Sequence, residues 1–183
     1  MTESSTAIRK ADSPLEKPSV LPQQLVAKTA DGLPVYDWRL PLSHTAGALR
    51  AEAIAQINFG DASYAKHEVD LGRPISYCSC VETADGSEIL YARRTGQPGL
   101  TRFVLGRSYD PTSIITVVLK RNNDDPSSLV VVTTYAGVLE PEPWESDATD
   151  RSVEFWSTHA LCWNGHDIEP ESLTLIPPSW AVC

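Results

Sequence analysis

The sequence predicts an α+β fold: two N-terminal helices packed on a four- to five-stranded antiparallel meander sheet, with a further C-terminal helix. Three observations predict it. Apolar residues recur at spacings of three and four up to Leu71. Short runs of alternating and β-branched residues, punctuated by Gly, Pro, Asn and Asp turns, then follow from Pro74 to Gly137. A three–four spacing returns after Arg151. Helices first and a meander second place the helices on one sheet face.

The chain of 183 residues suits one domain with a tail. Residues 1–37 carry Pro14, Pro18, Pro22 and Pro34 among many Ser, Thr and Gln, and read as an extended or mobile arm. Residues 38–183 form the single α+β domain. Leu42, Ala46, Leu49, Ala53 and Ile57 make the stripe of a first helix, with Ser43 as its N-cap and Gly60 as its end. Asp61 caps a second helix, from about Ala62 to Leu71, whose apolar face is Tyr64, Ala65, Val69 and Leu71. His67 lies at the border of that face, and Gly72 and Pro74 stop the helix beside Arg73. The strands are PISYCSCV, EILYARR, LTRFVLG, SIITVVLKR and SLVVVTTYAG. In RSVEFWSTHALCW, Val153, Trp156, Ala160 and Trp163 mark a third helix ending at Gly165, and SLTLI is an optional edge strand.

No run of apolar residues approaches the roughly 18 that a membrane helix needs. The N-terminus lacks a signal-peptide pattern, so the cytosol is the expected compartment and the four cysteines are expected as thiols. A zinc site from Cys78 and Cys80 with Cys162 and His159 or His166 has the wrong spacing for the common motifs, and no cofactor is expected. The net charge of −9 is unevenly spread. Residues 131–183 hold one basic side chain against nine acidic ones, giving −8. Residues 91–121 hold Arg93, Arg94, Arg102, Arg107, Lys120 and Arg121 against Asp110 alone, giving +5. Such a block can steer a polyanion, with Arg93, Arg94 and Arg107 as phosphate contacts. It can equally be a set of strand edges kept from aggregating by positive charge.

Phosphate-loop, dinucleotide-binding, zinc-protease and nucleophile-elbow motifs are all missing from the sequence. What remains suits metal-free cleavage of a phosphodiester, in which RNA supplies its own 2′-hydroxyl nucleophile. Such an enzyme moves two protons and stabilises charge on phosphorus. His67, with Lys66 beside it, can serve as acid and base. Arg73 and Arg102 can hold the phosphate, and Thr133 and Tyr135 can position it.

The order of elements, with K-H-E-V-D-L-G-R, T-R-F-V and V-V-T-T-Y, resembles the barnase–EndoU–colicin–RelE superfamily of metal-independent ribonucleases over residues 43–137. Many of its members are bacterial toxins. The resemblance implies a helix-borne His67 facing Arg102, Thr133 and Tyr135, an RNA substrate, and a cognate antitoxin or immunity protein. The rival expectation is a non-catalytic acidic binding module, itself immunity- or antitoxin-like, that meets a basic partner through residues 138–154.

Overall fold

The computed structural model describes residues 23–39 and 43–181. It is mostly sheet, with eleven strands in three sheets and two α-helices among the described residues. Strands β1 (Gln24–Lys28) and β2 (Pro34–Asp37) form an antiparallel hairpin. Helix α1 (His44–Ile54) follows, and then β3 (Tyr64–Asp70), β4 (Ser76–Cys78) and β5 (Cys80–Glu82). Next come β6 (Ile89–Arg93), β7 (Leu100–Val104), β8 (Asp110–Thr112), β9 (Ile114–Arg121) and β10 (Leu129–Ala136). Helix α2 (Asp150–Thr158) runs directly into β11 (His159–Cys162).

The strands pair in the orders β1-β2-β10-β9-β3, β5-β11-β7-β6 and β4-β8. Two neighbour pairings of the expected meander are present, β6–β7 and β9–β10, but PISYCSCV does not pair with EILYARR, because β4 pairs with β8 and β5 with β11. The single meander is not, because β7 and β9 lie in different sheets.

The expected pair of N-terminal helices is corrected to one. Ser43 caps α1 by accepting the Ala46 N–H at 3.1 Å. The second helix is a strand, β3, antiparallel to β9 over its whole length. Ala65 and Val69 stand four residues apart, and four is a multiple of two as well as one helical turn, so both periods fit. Tyr64 decides between them. It should be buried on a helical face, yet it is 61 % exposed, while Ala65 and Val69 pack on the core.

The third helix is also corrected. It ends at Thr158, and Ala160, Leu161 and Cys162 are buried as a central strand between β5 and β7. Residues 24–37, expected as part of the arm, instead supply two sheet strands and the fully buried Val35. Residues 1–22 of the arm, Leu42 and Cys183 lie outside the described residues.

Two main cores result. Val35, Ile54, Phe59, Val117, Leu119, Leu129 and Val131 fill the space between α1 and the five-stranded sheet. Leu90, Phe103, Trp156 and Leu161 fill the space between α2 and the four-stranded sheet. The loop 138–149 joins them. Trp156 donates its indole N–H to the carbonyls of Glu140 and Pro141 at 3.1 and 3.0 Å. Trp144 lies so close to Gly99 that a Cβ there would stand 2.1 Å from its ring.

Candidate functional site

The residues expected to act together are spread over both faces of one sheet and into the other. Cross-strand partners share a face. His67 pairs with Val117, and Val117 with Thr134, so His67 faces α1. Lys66 pairs with Val118, and Val118 with Thr133, on the opposite face. Tyr135 lies on that opposite face too, through Thr116 and Glu68.

His67 is half-buried beside the Phe59 ring at 5.8 Å, and its Nε2 has no hydrogen-bond partner among the described residues. Burial holds its pKa below the ordinary value, partly opposed by the Asp31 carboxylate. Arg73 grips Glu52 through two hydrogen bonds of 2.8 and 2.5 Å, and this pairing lowers the Glu52 pKa. Arg102, in the second sheet, donates to the carbonyls of Trp156 and His159. Tyr135 donates to the Leu139 carbonyl at 3.2 Å, and burial raises its pKa.

The basic block is likewise engaged within the chain. Arg93 pairs with Glu169, Arg94 with Glu142, and Arg107 with Asp110. Arg121 donates to the carbonyls of Ala62, Pro126 and Gly60. Lys120 is the one cation of the six whose side chain has no such partner among the described residues. Lys66, expected at the substrate, bridges Glu68 and Glu140. Burial works against its charge, but the two carboxylates leave its pKa raised. The acidic loop is similarly used. Arg151 meets Glu140 at 3.0 Å, and Thr101, Arg94 and Trp144 all reach the Glu142 carboxyl. Burial pushes the Glu142 pKa up in spite of those partners.

A groove of about 710 Å³ opens elsewhere, along the outer edge of β10. Strand β2 pairs with β10 only at Leu129 and Val130, so Thr133–Ala136 have no paired strand on that side among the described residues, while β4 packs nearby with Cys78 against Gly137. The groove is walled by α1 through Thr45, Ala46, Leu49 and Arg50, and by Ile75 and Ser76. Thr133 and Tyr135 of the expected set line it, because an edge presents residues of both sheet faces.

Its charged end was not anticipated. Asp37, 1 % exposed, accepts from Arg39 Nε at 3.2 Å and from Arg50 Nη1 at 2.7 Å. Arg39 also donates to the Val131 and Val132 carbonyls, which closes the edge where β2 departs. Two guanidiniums share one carboxylate, and no acidic residue lines the groove. Arg50 Nε and Thr134 Oγ1 are buried there without hydrogen-bond partners among the described residues. The sequence held one signal of this cluster. Val35 and Asp37 are two apart, which puts a carboxylate on the buried face of any strand through them.

Among the described residues, no group of three or more His, Cys, Asp or Glu side chains could hold a metal ion, and no helix is long and apolar enough to cross a membrane. Comparison of the chain with protein-family models, curated proteins and solved structures finds no match.

Proposed function

We propose that this chain is a non-catalytic binding module, and that the groove beside β10, rather than the acidic segment 138–154, receives its partner. The observation that carries this reading is the open strand position along Thr133–Ala136, roofed by α1 and walled by Ile75 and Ser76. An open sheet edge inside a concave wall suits the addition of a strand. The opposite placement of His67 and Thr133 supports binding over proton transfer. So does the use of Arg73 and Arg102 by the chain's own acceptors.

A peptide-display selection tests this reading. Sequences should be enriched on the wild-type protein and not on Ala46→Trp, whose indole fills the groove. No difference between the two would remove the groove from the function.

A second reading has its own observation. Thr134 lines the groove with Arg39 and Arg50, and a hydroxyl with guanidiniums is the kind of set a metal-independent ribonuclease of toxin type uses on phosphate. Incubation with total RNA in EDTA separates the two. Fragments ending in cyclic phosphate would establish cleavage, and intact RNA is the expected result.

A further inference from the structure

We infer that the occupant of the groove is an extended peptide bearing a carboxylate, which adds to β10 as a strand and sets its acidic group against Arg50. The inference rests on the binding-module reading and names the ligand class for it. The backbone supplies the first half. Among the described residues Thr133–Ala136 have no paired strand on this side and span about 13 Å, up to the point where Cys78 of β4 packs against Gly137. Arg39 fixes one end of this slot by taking the Val131 and Val132 carbonyls. Ile75 and Ser76 lie along its wall.

The charge supplies the second half. A peptide strand beside β10 would direct alternate side chains toward α1, on the face of Thr134. There it meets Arg50, which gives one N–H to Asp37 and keeps a buried Nε with no partner of its own among the described residues. The first turn of α1 also lines this wall, carries no acidic side chain, and presents the positive end of the helix dipole. Asp37 can neutralise only one of the two guanidiniums, so a net positive charge is left for the ligand. A carboxylate balances the guanidinium charge that Asp37 leaves over, in a groove that no acidic residue lines. Phosphate of a nucleic acid offers the same charge but no backbone donors and acceptors for the strand edge.

The test uses random heptapeptides displayed against the full chain, followed by binding measurements on synthetic peptides. The enriched sequences should carry Asp or Glu at one fixed position among alternating β-formers. Replacing that residue by its amide should weaken binding at least about tenfold, and the change is made on the peptide, so the fold is untouched. Arg50→Gln, checked by its melting curve, leaves Arg39 alone to balance Asp37 and should bring the acid and amide peptides close to equal affinity.

Enrichment of peptides without an acidic position would overturn the inference and leave the binding reading standing. Absence of any enrichment over Ala46→Trp would overturn both. Polyuridylate competing with the acidic peptide, and losing affinity on Ala46→Trp, would show nucleic acid to be the occupant and also overturn the inference.

Discussion

Asp37 is the residue on which the groove depends, because it holds two guanidiniums from a position that water scarcely reaches. Removing one partner of a buried ion pair leaves uncompensated charge, at a cost of about 3 kcal/mol or more. Asp37→Asn keeps the side-chain shape and removes the charge, so urea unfolding should register a loss of that size. A loss below about 1 kcal/mol would mean that Arg50 and Arg39 find solvent instead. His67 offers a second test at the same scale. Its pKa is lowered in the folded state by burial, so the unfolded chain takes up the proton first. The contribution of a neutral His67 is therefore full above the ordinary value of 6.5 and declines as pH falls toward its lower folded value. His166, also lowered by burial and then by Arg94, has the same sign. Glu142, raised by burial, has the opposite sign and loses its contribution as pH rises through its folded value. Only a comparison isolates one group. Between about pH 7.5 and 5.5, His67→Leu should lose less stability than the wild type does. Parallel curves would show that the imidazole titrates as freely in the folded chain as in the unfolded one.

At the scale of elements, the hairpin of β1 and β2 is the piece most undervalued by composition. Four prolines made residues 1–37 look unable to bury anything, yet Val35 is fully buried beside Leu129 and Val131. A chain beginning at Trp38 loses Val35, Asp37 and the strand paired to Leu129 and Val130. It should show no cooperative thermal transition, and a sharp melt within a few degrees of the full chain's would make the hairpin an accessory. The elements that were legible share one property, a pattern that only one period explains. SIITVVLKR and SLVVVTTYAG are too rich in β-branched residues for a helix, and they pair as expected. YAKHEVD and HALCW were misread because apolar residues three and four apart fit a helix, whereas the strands they form are buried on one face or on both. Sheet order was illegible for a different reason. Strand β11 arrives from the far end of the chain and inserts between β5 and β7, and no local pattern encodes a parallel neighbour so distant in sequence. The groove inherits that difficulty, since Arg39, Arg50, Ser76 and Thr134 meet only when the sheet is assembled.

Over the whole molecule, folding pairs Lys66 and the basic block with part of the acidic C-terminal third, through Glu140, Glu142 and Glu169, and leaves acidic residues such as Asp147, Asp150 and Glu154 exposed. The acidic loop 138–149 crosses between the sheets, with Glu140 on Lys66 and Arg151 and Glu142 on Arg94. The basic block contributes Arg94 to this clasp and Arg93 to Glu169. These ion pairs differ in what they leave behind. Glu142 is almost fully buried, whereas Arg94 is nearly one-third exposed, so losing the arginine strands a charge and losing the acid does not. Arg94→Met should therefore destabilise more than Glu142→Gln, by about 3 kcal/mol against roughly half of that. The Arg94→Met deficit should grow with rising pH, because a proton can relieve the stranded carboxyl only at low pH. Arg151→Ala, at a pair 67 % exposed on the arginine side, should cost at most about 1 kcal/mol. The same substitutions decide what the basic block is for. Removing a cation that truly binds phosphate on an RNA-binding surface would flatten the dependence of log K on log salt by slightly less than one unit. Arg93→Ala with Arg94→Ala should instead lower stability and leave any RNA affinity and its salt slope where they were. Titration of labelled RNA at several salt concentrations, beside urea unfolding of the same samples, reads both quantities. A slope flattened by nearly two units with unchanged stability would return the block to the polyanion and take it away from the clasp.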